Sequence, residues 1–433
     1  MKHLLACGAA LAFALAGCNG SSSGGGGGGG GGGPPPPPPA NLAPFFAGLE
    51  AILSVGGASI QLCWEAANDD SSAPSATRHN IDRAASRGAP TFASPSLTTA
   101  PGVTCVTLNG TIGVREFFVV RAVDASGVED DNMVELSVTP LASSQLIFVD
   151  DSAAGPGTGA FSDPYTSIES GIMDAESLPG GGIVLVAAGT YNEQARLTVN
   201  GTTNPIGIVG GFPNWATFGG AQPSASALLA AFAPKTNLTT VSGTGITHFT
   251  TSTEGLVHVE NNGRPTFITG LRISDAEHTA VLGIDVDLEV SCCHVRDPAG
   301  DNVTSFGMRF ETSDATFDNR FAVIGCDIRE IDTTGVRFGG TTAWAVISNN
   351  FIGLEQASSD SLTGIDNNTS LFAITDTSSV VVPSGVTLRI KIERNEIFRT
   401  NDGGIELDFT PESDGVAGSV DVQILWNRIE FID

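Results

Sequence analysis

Two sets of charged side chains in the C-terminal half of this 433-residue chain are spaced like surface columns. One set is Arg272, His294 and Asp327, followed two positions later in the last two cases by Arg296 and Arg329. The other is Arg309 and Arg337, continued by Asp366, Glu406 and Asp408. Guanidinium forks bind carboxylates at two points, and carboxylates bind hydroxyls or a bridging Ca2+. A groove mixing these groups suits a uronate-containing sugar polymer. It also holds parts of a catalytic apparatus. His294 or Arg296 has the character of a base, with Arg329 as the cation that neutralises a sugar carboxylate. Asp366 with Glu406 or Asp408 would supply the two carboxylates of glycoside hydrolysis. The bland alternative is a surface ladder of ion pairs, each contributing little.

These residues are spaced by a motif that returns six times between Thr266 and Asp433. Its clearest copies are Val346-Ile347-Ser348-Asn349-Asn350-Phe351-Ile352, Ile392-Glu393-Arg394-Asn395-Glu396-Ile397 and Ile424-Leu425-Trp426-Asn427-Arg428-Ile429. Indexed on Leu271, Cys293, Cys326, Asn350, Asn395 and Asn427, each copy is apolar three residues before the index and two after it. Such a repeat with variable loops describes a solenoid. A second strand is expected in each coil at Ala280-Val281, Gly307-Met308, Gly335-Val336, Gly364-Ile365 and Gly404-Ile405. Short β-branched strands with glycine-marked turns exclude an α-solenoid. Coils stacked about 4.8 Å apart would align like residues. Asn350, Asn395 and Asn427 then form an internal ladder, suited both to a tight bend and to hydrogen bonds between coils. Alternation sends the residue after each index outward, which makes neighbours of Arg272, His294, Arg296, Asp327 and Arg329. It places Val290, Val323, Ile347, Ile392 and Ile424 in one inward column, where Ile392→Ala should destabilise far more than Glu393→Ala.

Upstream, Ile147 to Asp150 precedes Gly155-Pro156-Gly157-Thr158-Gly159, Asp163-Pro164-Tyr165-Thr166-Ser167-Ile168 and Val186-Ala187-Ala188-Gly189-Thr190-Tyr191-Asn192-Glu193. With the turn Gly210-Gly211-Phe212, this opening resembles that of bacterial right-handed parallel β-helix proteins of the pectin-lyase-like superfamily. The resemblance covers roughly residues 145–433 and implies the fold. It is a poor guide to activity, because the superfamily hosts lyases, hydrolases, adhesins and other proteins. Arg389-Ile390-Lys391 matches the R-x-K of polygalacturonases, but their N-x-D, paired Asp and G-H-G elements are missing. The W-x-D-H and R-x-P-x-x-R patterns of pectate lyases are missing too.

The first 17 residues read as an export signal, with a short apolar core from Leu4 to Leu15. Leu15-Ala16-Gly17-Cys18 matches the bacterial lipobox, which implies lipidation of Cys18 and a membrane-anchored, exported protein, with the outer membrane or cell surface as its place. Residues 18–44 form a tether of Gly24 to Gly33 and Pro34 to Pro39 that can bury nothing. Residues 45–140 read as a separate β-sandwich with alternating strands at Ser59 to Trp64 and Glu116 to Asp124. Trp64, Asn80 to Ala84 and Val120 to Gly127 resemble a fibronectin type III module, although the Tyr usual in its sixth strand is absent. The expected architecture is all-β: a small sandwich, then a right-handed parallel β-helix over 145–433, with a capping region and first coils over 145–265 and regular coils over 266–433.

A net charge of −27 disfavours nucleic acid as a partner. It suits a soluble exported body and divalent cations; Ca2+ is the one cofactor the acids suggest, with no metal site defined. Cys63 and Cys105, on facing sandwich strands, are candidates for a disulfide in an oxidising compartment. Cys293 and Cys326 share the inward index position and form either stacked thiols or a bridge across coils. His294 points away from them, which argues against a metal there. The last copy is followed only by Glu430 to Asp433, so either the chain continues further in a longer protein or this end contacts another subunit. Two function classes result: a lipid-anchored surface protein that binds glycan or a surface protein, or a carbohydrate-active enzyme, a polysaccharide lyase before a glycosidase.

Overall fold

The structure is a computed structural model that describes residues 41–197, 204–246, 254–260, 263–296, 306–311, 319–331, 334–339, 342–353, 372–376, 380–382, 387–400, 403–407, 409–411 and 419–431. Strands from Leu146 onward stack in parallel into three long sheets, of nine, eight and seven strands. The chain visits the first, second and third sheet in turn and begins the next coil beside the previous one. The result is a right-handed parallel β-helix. Each coil therefore carries three strands. The repeated motif is two of them joined by a bend: Thr342–Ser348 lies in the first sheet and Phe351–Gly353 in the second.

The interior is built from aligned aliphatic columns. In the first sheet Val184, Ile208, Ile268, Val290, Val323, Ile347, Ile392 and Ile424 are successive register partners. In the second, Val241, Ile273, Val295, Ile328, Ile352, Ile397 and Ile429 are. Each strand offers alternate residues to this core, and β-branched side chains fit the pleated surface.

The bend between the first two sheets sets the geometry of everything outside. Its left-handed residue is the one before each index: Gly270, Cys292, Gly325, Asn349, Arg394 and Trp426, with φ between 48° and 72°. The indexed asparagines do not make the bend themselves; they brace it. Asn350 Nδ2 donates to Asn395 Oδ1 and Asn395 Nδ2 to Asn427 Oδ1, both at 2.9 Å. The same oxygens accept the backbone N–H of the preceding index residue. This satisfies amides that the corner would otherwise leave unpaired inside the coil.

One coil departs from the expected pattern. Gly364-Ile365 and Asp366 lie outside the described residues, and the third-sheet strand there is Phe372–Asp376, whose Ile374 pairs with Val336 and Ile405. The third-sheet position of this coil is thus held by Ile374, later in the chain than the spacing of the other coils suggests.

At the N-terminal end, helix Ile168–Ser177 lies over the first coil. Glu193 accepts the N–H groups of Ile168 (2.6 Å) and Glu169 (3.0 Å), a carboxylate at a helix N-terminus. Tyr191 points inward and donates to the Ala187 carbonyl at 3.1 Å. These contacts account for the Gly-x-Tyr-x-Glu pattern.

Residues 51–138 form two antiparallel sheets, of three and four strands, around Trp64, Ile81, Phe118 and Leu136. Cys63 and Cys105 are disulfide-bonded, but as register partners on adjacent strands of one sheet rather than across the sandwich. This body packs on the outer face of the first helical sheet, where Ala322, Ile324 and Val346 join its core. Arg87 and Arg115 reach Asp287 and Glu289 across the junction. The left-handed corner residues complete the contact. Cys292 packs on Cys63, Asn349 Nδ2 donates to the Ala47 carbonyl at 3.2 Å, the Arg394 guanidinium lies 4.8 Å from the Phe45 ring, and Trp426 meets that ring edge-on at 5.7 Å. Further toward the N-terminus, Trp215, Leu228 and Phe232 cover the same sheet. The first sheet is thus buried on both faces over much of its length, while the second carries polar side chains outward.

Candidate functional site

Arg272, His294, Arg296, Asp327 and Arg329 come together on the outer face of the second sheet. Arg272 pairs with His294 and His294 with Asp327, while Ser274, Arg296 and Arg329 align beside them. Their strands, Leu271–Ser274, His294–Arg296 and Asp327–Arg329, turn Ile273, Val295 and Ile328 inward, which fixes the charged neighbours outward. Together with Lys235 and Leu238 these residues line a groove of about 270 Å³. Sequence reasoning missed Lys235. It lies in the irregular segment between helix Ala225–Ala231 and strand Thr239–Ser242, where no repeat places it.

Among the described residues, four cations and one carboxylate line this groove, against a chain charge of −27. Asp327 organises part of it. Its carboxylate lies 3.5 Å from Nδ1 of His294 and is paired with Nε of Arg329. Burial pulls this carboxyl toward its neutral form, but hydrogen bonds from His294 and Arg329 prevail and hold it below the usual carboxylate range. The imidazole is thereby oriented by an anion, and one guanidinium is braced. The chemistry on offer is capture of anionic groups and, at His294, proton transfer.

Arg309 and Arg337 are register partners as expected, but on the third sheet, so they do not share this groove. The bend between the second and third strands of a coil sends them to another face. Arg309 is mostly buried and ion-paired to Glu311, with Nε donating at 2.6 Å. Both guanidinium groups lie near the Phe306 ring, at 5.1 and 4.8 Å, and His278 packs on the same ring at 5.4 Å. Burial, then Arg309 and Arg337, push the His278 pKa down. Glu406 takes the same register column through Thr375. Asp366 and Asp408 lie outside the described residues, so the carboxylate pair expected for hydrolysis is not assembled among those described. Arg389-Ile390-Lys391 is a flanking pair around an inward Ile390.

The thiols of Cys293 and Cys326 are buried at the inner corner without a bridge between them. Among the described residues, no group of three or more His, Cys, Asp or Glu side chains is placed to hold a metal ion.

No family model matches the chain, and no curated protein matches it. Among solved structures it is similar to the Family 28 exopolygalacturonase of Yersinia enterocolitica, at 12% identity and a TM-score of 0.41, covering 90% of this chain and 82% of that one. It is also similar to pectate lyase Pel9A, at 13% identity and a TM-score of 0.30 over 62% and 77% of the two chains. A third is pectate lyase Pel3 from Pectobacterium carotovorum, at 10% identity and a TM-score of 0.23 over 89% and 91%. By their names all three are pectin-degrading enzymes.

Proposed function

We propose that this is a lipid-anchored surface protein whose second sheet binds an acidic glycan. The supporting observation is the groove in which Lys235, Arg272, Arg296 and Arg329 converge while the chain as a whole is strongly negative. A body that repels polyanions generally but gathers cations in one concavity selects for a ligand able to reach several of them at once. Uronate carboxylates fit guanidinium forks. The lipobox and the Gly/Pro tether support an anchor at Cys18 that holds the β-helix clear of a membrane. The sandwich, of the fibronectin type III kind, acts in this reading as the support between them.

A second reading has its own observation, the His294–Asp327 contact beside Arg296 and Arg329. An imidazole oriented by a carboxylate can take a proton from the carbon next to a uronate carboxylate while a guanidinium stabilises the resulting charge. Elimination of the glycosidic oxygen then leaves an unsaturated sugar.

The test is calorimetric titration of the full-length protein with polyuronate and with a neutral glucan, followed by an ultraviolet assay for unsaturated product. Polyuronate binding that Arg296→Ala and Arg329→Ala both weaken by about tenfold or more supports the binding reading. Release of unsaturated product that His294→Ala abolishes would replace it with the lyase. Equal or absent binding of both polymers overturns the site. For the anchor, Cys18→Ala should move the protein from the membrane to the soluble fraction, and a wild-type protein already soluble would refute it.

A further inference from the structure

We infer that Cys292 is the third sulfur of a thiol–disulfide exchange site: its thiol takes Cys63 from Cys105 and so bonds the sandwich covalently to the β-helix. Three sulfur-bearing side chains meet at the junction of the two bodies. Cys63 and Cys292 are buried there with Ala51, and Cys105 packs on the same cluster. Cys63 and Cys105 carry the disulfide, and Cys292 is a thiol. A thiol packed on a disulfide is the arrangement from which exchange begins.

The corner puts Cys292 in this place. Its φ of 48° lies in the left-handed region that favours glycine, and the neighbouring corners of the same column are Gly270 and Gly325. Glycine would be the relaxed choice here too; a β-carbon instead carries a sulfur out of the coil toward the sandwich. Cys293, one residue on, points into the coil, where its Sγ lies 3.3 Å from the Ser291 carbonyl oxygen, so it takes no part. Both reacting sulfurs sit on anchored backbone. The Cys292 N–H donates to the Ile324 carbonyl at 3.1 Å, just after strand Asp287–Ser291. Cys63 ends strand Ser59–Cys63, with Ala51 and Cys105 as its register partners on either side.

In the exchange, the Cys292 thiolate attacks Sγ of Cys63. The Cys63–Cys105 bond breaks and a Cys63–Cys292 bond forms. Cys105 leaves as a thiolate and takes up from solvent the proton that Cys292 gave up. One disulfide and one thiol remain, so nothing is oxidised or reduced overall and no outside oxidant is needed. Burial selects the direction of attack. Cys292 and Cys63 are 1% and 2% exposed, whereas Cys105 is half-buried. Attack at Cys63 therefore leaves the departing charge on the sulfur that solvent reaches best. The new bond closes a loop from the sandwich into the β-helix, much longer than the 42-residue separation of the present bond. Longer closed loops restrict the unfolded chain more.

The experiment holds full-length protein, without added reductant, at mildly alkaline pH to supply thiolate. An acid quench stops exchange, a maleimide labels thiols in denaturant, and tandem mass spectrometry reads label and linkage residue by residue. At the start the label falls on Cys292, together with Cys293 and Cys326. With time, about a tenth or more of the Cys292 label should move to Cys105, with a matching Cys63–Cys292 linkage. Cys292→Gly is the control, because glycine suits that corner and melting temperature checks its folding; its Cys105 should stay unlabelled. If wild-type label never leaves Cys292 for Cys105, the exchange site is refuted. Label on Cys63 instead would overturn the choice of target. Label on Cys105 in Cys292→Gly would show that the bond opens without Cys292, which refutes the site as well.

Discussion

Nδ1 of His294 and Oδ2 of Asp327 lie 3.5 Å apart across neighbouring coils, in strictly paired positions of the second sheet. Among the described residues that line the groove, the contact joins the histidine to the carboxylate. Asp327→Asn removes that negative charge and keeps the side chain's size. Coulomb attraction for a polyanion then rises, and affinity for uronate oligomers should increase by about two- to tenfold at low salt, with a smaller gain at high salt. Calorimetry at two salt concentrations measures this. A fall in affinity would mean that bracing Arg329 and His294 outweighs the charge.

Asn395 is fully buried, and it both donates and accepts within the ladder. Asn395→Ala strips partners from the Asn350 amide and the Ile347 carbonyl. Each buried polar group left without a partner costs about 1–3 kcal/mol. A loss of about 3 kcal/mol is expected by chemical denaturation. Asn427→Ala, on the exposed last coil, should cost about half as much or less. Equal losses would contradict a ladder whose members differ in burial.

The inward column gives a sharper comparison. Ile392 is fully buried between Ile347 and Ile424, and Ile392→Ala should cost about 2–5 kcal/mol. Glu393, expected to be the harmless control on the solvent side, is itself 2% exposed and ion-paired with Lys391 at 2.9 Å and Arg394 at 3.4 Å. The proper control is the exposed Arg389, whose replacement by alanine should change stability by less than about 0.5 kcal/mol. Melting temperatures of the two variants decide the register.

Glu393 shows where sequence reasoning stops. Alternation made neighbours of Arg272, His294, Arg296, Asp327 and Arg329, as the register of the second sheet has them, because a period of two and a fixed corner leave little freedom. The same alternation could not say that the outer face of the first sheet is covered, since the Arg87 and Arg115 partners of Asp287 and Glu289 lie far away in the chain. Nor could it give the angle between successive strands of a coil. Arg309 and Arg337 align with each other as expected, and the third sheet holds them apart from the Arg272 groove. Lys235 escaped because it precedes the regular repeat, and Asp366 lies outside the described residues.

Acid should weaken the sandwich through His79. Its ring is packed between Phe46 and Trp64, and burial pushes its pKa down to about 4. The unfolded chain takes up that proton near a pH of about 6.5. Stability from the neutral imidazole is therefore complete above that pH and is lost as the pH falls toward about 4, by on the order of 2–3 kcal/mol. His258, also lowered to about 4 by burial, acts in the same direction. Asp130 acts oppositely: burial raises it to about 7, so its contribution is lost as the pH rises through that value. His79→Leu should shrink the drop in melting temperature between neutral pH and about pH 5, and an unchanged drop would assign the acid sensitivity elsewhere.

The left-handed corners have a consequence for how the molecule comes apart. A stack whose coils touch only their neighbours opens like a zipper, losing one rung at a time from an end. Here Cys292, Asn349, Arg394 and Trp426 sit on different rungs and all grip the same sandwich. No junction between those rungs can part without also tearing contacts to a body that spans them. The sandwich works as a splint, and it turns a graded unzipping into a single shared event. The side chains at those strained corners are thereby what couples the rungs to one another over a distance that no direct rung-to-rung contact covers.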